Sequence, residues 1–207
     1  GYSLPSSNGN ERNRSNLRHA KKLLNQAGWT IQDGILKDSN GDPFDMEIVL
    51  KAGSASNEAI INIYSDALKR LGINVRVSVV DSSQYTERTN NYDFDMTYYR
   101  RALSLSPGNE QRLYWGAEGI SNPGSRNYMG MNSPAAEAMI DAMLNATKQS
   151  DFVAAVKALD RILTTGRYVI PLWDTVKSRI AYKSELHFPD TLPMYGDWTG
   201  FMPDVWW

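Results

Sequence analysis

Tyr98-Tyr99-Arg100-Arg101 places two aromatic rings and two guanidinium groups in a row, and the segment behind it carries Ser104, Ser106, Asn109, Glu110, Gln111, Arg112 and Trp115. A guanidinium offers a planar fork that matches a carboxylate, an aromatic ring offers a flat apolar face, and amides both donate and accept hydrogen bonds. A peptide or another zwitterion needs that mixture. Surface arginines and core tyrosines account for the same composition, so position has to decide between the two readings.

Catalytic chemistry has less to draw on. His19 and His187 are the only histidines, which leaves a Ser–His pair or a His-ligated metal centre without partners; both read as solvated or structural. Cysteine is absent, which removes disulfides, thiol catalysis and Cys-ligated metals together and suits an oxidising compartment. Asp93 and Asp95 bracket Phe94 at alternate positions of a strand-like stretch. With Glu110 they could act as acid and base in a hydrolase of peptides or glycans, the rival reading, though solvation at a strand end explains them as well. Lys51-Ala52-Gly53-Ser54 joins a strand to a helix start, where free N–H groups attract anions, but it lacks the spacing of either nucleotide-binding fingerprint.

The elements that position these residues follow from periodicity. A helix is expected over about 15–27, with Leu17, Ala20, Leu23, Leu24 and Ala27 on one face and Gly28 as its stop. Residues 29–36 and 45–50 read as extended pieces joined by the turn-rich 38–43. From Met46 the pattern alternates: strand 46–51, a helix bearing Ile60, Ile63, Tyr64, Ala67, Leu68 and Leu71 up to Gly72, strand 73–80, a short polar helix over 82–91, and strand 94–100. Such alternation implies parallel strands with right-handed crossovers, an α/β fold whose ligands gather beyond the carboxyl ends of the strands. Arg101 falls at such an end.

Residues 103–131 read as one long Gly-, Pro-, Ser- and Asn-rich connection. Ser133-Pro134 then caps a helix with Ala136, Met139, Ile140, Met143 and Leu144 inside, and a second helix runs from Ser150 to Gly166. Two strands are expected near 168–173 and 178–182, and 188–207 as an irregular aromatic strap.

With 207 residues, 22 basic against 23 acidic side chains and 42% hydrophobic residues, the chain suits a globular protein with a real core. No field draws it towards nucleic acid, and no apolar run reaches the roughly 20 residues a bilayer demands. Composition gives no reason for an internal domain boundary. Residues 1–13 are polar, open with neither Met nor a signal peptide, and are expected to be flexible and to mark an internal cut.

Three stretches resemble family 5 extracellular solute-binding proteins, the large dipeptide and oligopeptide binders with the type II periplasmic-binding fold. They are Ala-Lys-Lys-Leu-Leu-Asn-Gln-Ala-Gly-Trp from Ala20 to Trp29, Leu-Lys-Arg-Leu-Gly-Ile-Asn-Val from Leu68 to Val75, and Tyr92-Asp93-Phe94-Asp95-Met96. Ser104 to Arg112, Trp115, and Ser125-Arg126-Asn127-Tyr128 with Gly130 are similar to the branch of oligopeptide and microcin C importers of Gram-negative bacteria, and Trp206-Trp207 resembles its tryptophan-rich end.

The resemblance implies a carboxy-terminal lobe, residues 1–207, with a mixed sheet flanked by helices and with an amino-terminal lobe and a signal peptide lying outside this chain. It also implies a periplasmic location and the permease of an ABC importer as partner, with no enzyme activity and no cofactor. Arg101 and Arg126 would meet carboxylate or phosphate groups, Arg100 would stand beside them, Ser104, Ser106, Asn109 and Asn127 would hydrogen-bond the ligand backbone, and Tyr99, Trp115 and Tyr128 would cover its apolar side chains. General oligopeptide binders of the family place an aspartate in the loop after the third strand to meet the ligand's α-amino group. Here Ser104-Leu105-Ser106 stands there, which leaves that group to Glu110 or to the other lobe.

Overall fold

The computed structural model describes residues 3–10, 12–101, 106–172, 179–193 and 205–207. The chain groups into two compact units, residues 1–169 and 170–207, a division that composition gives no sign of.

Helix α1 (Arg14–Gln26) packs Leu17, Ala20 and Leu24 onto Trp29, Ile31, Leu36, Phe44 and Leu71. Leu23, expected on the same face, is 48% exposed; the stripe is narrower than the spacing implied. After Gly28 the Trp29 N–H donates to the Leu24 carbonyl at 2.9 Å, and the Trp29 ring meets Phe44 at 4.7 Å. Residues 29–36 are not one extended piece. Asp33 and Gly34 take successive positive φ of 50° and 82°, a turn whose twist matches a tight hairpin, so β1 (Thr30–Gln32) and β2 (Ile35–Lys37) pair antiparallel.

The second sheet is parallel, with β3 (Asp45–Lys51) between β4 (Asn74–Val80) and β5 (Met96–Thr97). Its crossovers are α2 (Ala55–Lys69) and α3 (Ser82–Asn90). Ser54 caps α2 by accepting from the Asn57 N–H, and Asp81 caps α3 by accepting from Ser83 and Gln84. Ile48 and Leu50 pack on Ile61 and Tyr64 of α2, with Val75, Val77, Met96 and Tyr98 around them. Gly72 lets the chain pass close to β2: at φ +80°, a Cβ there would lie 2.7 Å from the Leu36 nitrogen.

Strand β5 is far shorter than the expected 94–100. The hydroxyl of Tyr85, on α3, donates to the Tyr98 carbonyl at 3.0 Å and lies 2.9 Å from the Thr97 hydroxyl, so a side chain takes up the backbone where the ladder stops. Residues 98–101 are therefore free to leave the sheet.

The long connection is not structureless. It contains α4 (Glu110–Trp115) and a 3-10 turn (Ala117–Ile120). Helices α5 (Pro134–Leu144) and α6 (Gln149–Gly166) follow, and their Ala136, Ile140 and Leu159 enclose Tyr114, Trp115 and Met131. Arg167, not Gly166, takes the left-handed conformation at the end of α6, with φ 55°; Gly166 has no Cβ because the Tyr168 ring lies against it.

The described parts of the two expected strands, 168–172 and 179–182, form no strand. His187 and Trp207 exchange backbone hydrogen bonds of 2.6 and 3.0 Å, and Trp206 packs on Phe188 at 4.4 Å and on Tyr182 at 5.2 Å.

An ion network centred on the half-buried Glu47 and Arg88 ties the parallel sheet to α3. Arg88 donates to both oxygens of Glu47 at 3.1 and 2.9 Å and to Asp93 at 2.8 Å; Arg76 and Ser78 also reach Glu47. These bonds, Arg88 first and Ser78 next, hold the Glu47 carboxyl at about 2. A carboxyl depressed in the fold stabilises it fully above the ordinary value of 4.5 and loses that contribution as pH falls towards about 2. Glu47→Gln should therefore lower the thermal midpoint at neutral pH, by an amount equivalent to about 2 kcal/mol, with the gap to the unsubstituted protein closing between pH 4.5 and 2. A gap that stays constant in acid melting curves contradicts this.

Candidate functional site

Arg101 lies four residues beyond the carboxyl end of β5, and its half-buried guanidinium is surrounded by rings. It lies 3.8 Å from the centre of Tyr114, 4.8 Å from Trp115 and 5.2 Å from Tyr99. Stacking of this kind compensates a cation that has lost water. Tyr114 and Trp115 are presented by α4, where Gln111, Tyr114 and Trp115 form the buried face and the Trp115 Nε1–H donates to Gln111 at 3.0 Å. Arg112, on the outer face, pairs with Asp141 of α5 and holds the helix on the bundle.

Arg126 reaches the same place from the loop before α5. Its Nη1 donates to the Tyr114 hydroxyl at 3.1 Å, its carbonyl accepts from Arg101 Nη2 at 3.5 Å, and its side chain is exposed. Tyr128 meets Tyr99 edge-on at 5.2 Å and Phe94 at 6.0 Å. Burial lowers the Arg101 pKa, and the bond to Tyr114 raises that of Arg126; a guanidinium stays charged in either case. Among the described residues, no carboxylate forms an ion pair with either arginine. The result is a positively charged aromatic platform fit to take an anionic group edge-on between two guanidiniums.

The structure thus brings together Tyr99, Arg101, Trp115, Arg126 and Tyr128. Trp115, 8% exposed, is the floor of the platform. Arg100, Ser106 and Asn109 are exposed, and Ser104 lies outside the described residues. Glu110 is turned to its own loop: its Oε1 accepts from the Gly108 N–H at 2.9 Å, a bond that lowers its pKa. Asn127 does not meet the expectation of a ligand bond. It is fully buried, its Nδ2 donates to the carbonyls of Gly116 and Met131 at 2.9 Å each, and its Oδ1 accepts from Met131 N–H at 2.9 Å. Its work is to fold the loop that carries Arg126.

Tyr114 escaped the sequence reading because α4 did; the spacing of Gln111, Tyr114 and Trp115 was the available signal. Asp93 and Asp95, the rival acid–base pair, are held elsewhere, Asp93 by Arg88 and Asp95 by the Glu47 N–H at 2.7 Å, at the amino end of β5. Among the described residues no group of His, Asp and Glu could hold a metal ion, and no helix is long and apolar enough to cross a membrane.

Residues 1–122 match the sequence model of bacterial extracellular solute-binding proteins, family 5 Middle. The chain belongs to this family. Over its whole length it is 44% identical to the uncharacterized protein y4wM of Sinorhizobium fredii and 39% identical to the probable peptide-binding protein YejA of Agrobacterium fabrum, covering 30% and 33% of those proteins. The family 5 chain therefore spans about a third of the length of the curated relatives it matches. The oligopeptide-binding protein AppA from Bacillus subtilis, solved with a nonapeptide, shares the fold with a TM-score of 0.66 at 23% identity, over 73% of this chain and 30% of that one. The Agrobacterium and Bacillus proteins are binding proteins by name, and the mixed helix and strand architecture is that of periplasmic binding proteins.

Asn127→Ala strands the Met131 N–H and two carbonyls in the interior, and should destabilise the protein by about 2–4 kcal/mol in denaturant melts. A loss below about 0.5 kcal/mol, the range of ordinary surface changes, contradicts the assigned role.

Proposed function

We propose that this chain is the carboxy-terminal lobe of the substrate-binding component of an ABC importer, and that it captures short peptides or peptide-like conjugates in a cleft shared with a second lobe. The observation that carries the reading is the pair Arg101 and Arg126, stacked on aromatic rings beyond the carboxyl end of a parallel sheet and without an acidic partner among the described residues. Open α/β sheets place their ligands at that end.

In this reading the platform takes a carboxylate or phosphate of the ligand, Tyr99 and Tyr128 cover its apolar parts, and Ser104, Ser106 and Asn109 bond its backbone. Glu110 or the second lobe meets the amino group. Residues 1–207 act as one lobe; the remaining length of the relatives corresponds to the other lobe, and closure about a hinge buries the ligand. The complete protein works in the periplasm of a Gram-negative cell and delivers its ligand to the permease. The name of the 39% identical relative, a probable peptide-binding protein, supports the ligand class, and the family supports the location.

Calorimetry of the full-length protein with a tripeptide as free acid and as carboxamide tests the reading. The free acid should bind and the amide bind roughly tenfold or more weakly, and Arg101→Gln should remove about 2 kcal/mol of the binding energy of the acid alone. Equal affinity for acid and amide moves the anion site away from these arginines.

A further inference from the structure

The two arginines reach the platform from different loops, and one side chain ties the Arg126 loop to the turn between α3 and β5. Tyr92 follows α3 and takes a left-handed conformation, φ 57°, which an aromatic residue adopts only under strain. Its hydroxyl donates to the Gly119 carbonyl at 2.6 Å, with the Asn122 carbonyl at 3.0 Å as alternative acceptor, and lies 2.7 Å from the Ser125 hydroxyl. Ser125 immediately precedes Arg126. The Gly124 N–H adds a bond to the Asn90 carbonyl at 3.0 Å, also at the end of α3.

The same helix controls the other arginine. Tyr85, in the middle of α3, holds the Tyr98 carbonyl, three residues before Arg101. Arg88 locks α3 to the sheet through Glu47. Space around the turn is tight: a Cβ at Gly119 would lie 2.6 Å from the Ser125 hydroxyl and 2.8 Å from Asn127, so the turn has little room to settle elsewhere.

We infer that Tyr92 is a positioning residue of the anion platform: its hydroxyl fixes the Arg126 loop against the end of α3, the helix whose Tyr85 holds the chain leading to Arg101, and so sets the spacing of the two guanidiniums. This rests on the peptide-binding reading above. The strained backbone at Tyr92 is held because the hydroxyl has three oxygen neighbours to satisfy it. Tyr92 need not touch the ligand, and acts through Arg126.

The test uses the full-length protein with tri-alanine as probe, and hydrogen exchange of the free protein as a measurement independent of any ligand. Tyr92→Phe deletes only the hydroxyl. Amides of residues 119–131 should exchange roughly tenfold faster while those of β3 stay unchanged, and tri-alanine affinity should fall roughly tenfold. In an Arg126→Ala background the Tyr92→Phe change should have almost no further effect on affinity, since paired residues are non-additive. Ser125→Ala, a milder change, should move both measurements in the same direction and serves if Tyr92→Phe fails to fold. Unchanged exchange in 119–131, or an equal affinity loss with and without Arg126, overturns the inference. If tri-alanine does not bind the unsubstituted protein, the peptide reading falls and the exchange comparison alone decides the role of Tyr92.

Discussion

A guanidinium taken partly out of water needs compensation, and that of Arg101 finds it in the faces of Tyr114, Trp115 and Tyr99 rather than in a carboxylate. Much else in the first unit is arranged around this contact. Tyr114 and Trp115 lie on a helix of one and a half turns, too short to persist in water by itself. It lasts because Ile140 of α5 and Leu159 of α6 bury its inner face and Arg112 fastens its outer face to Asp141. Ring stacking leaves the edge of the cation available, and that edge is where a planar anion binds best.

The placement of the cation depends in turn on where the sheet ends. β5 contributes only two residues to the ladder, and the chain beyond is guided by hydroxyl groups: Tyr85 on the Tyr98 carbonyl, and Thr97 on the Val49 carbonyl at 2.9 Å. Glu47, at the opposite end of the same strands, gathers Arg76, Ser78 and Arg88 and keeps α3 seated. Structural charge is thus neutralised at the amino end of the sheet, and charge without a described acidic partner is displayed at its carboxyl end. That polarity supports a binder of anionic ligands and holds Asp93 and Asp95 away from the platform.

Much of this was legible in the sequence wherever burial follows a period. The stripes of α5 and α6 and the β-branched run of β4 specify themselves, and parallel pairing follows from the alternation; α2 instead buries Ile61 and Ser65 and leaves Ile63 of its expected stripe 67% exposed. Local chemistry without a period was harder to read. The Asp33-Gly34 turn lay within a stretch that looked uniformly extended, and α4 was concealed by Gly- and Pro-rich flanks. β5 was overestimated because Tyr98, Tyr99 and Arg100 have residue types that suit a strand, while what stops the ladder is a hydroxyl from another element. Asn127 shows the same limit: an asparagine in a polar loop looks ready for a ligand, and only the fold reveals that its amide is consumed by Gly116 and Met131.

We propose that the complete protein holds a small anionic peptide-like ligand on this platform. Native mass spectrometry of the full-length protein, purified without denaturation, tests it most directly. The expected result is a stoichiometric population carrying one small molecule that is released intact on unfolding, contains amide bonds and bears a free carboxylate or phosphate. A bound species without an anionic group, or an Arg101→Gln, Arg126→Ala protein that retains the same ligand at the same occupancy, contradicts it.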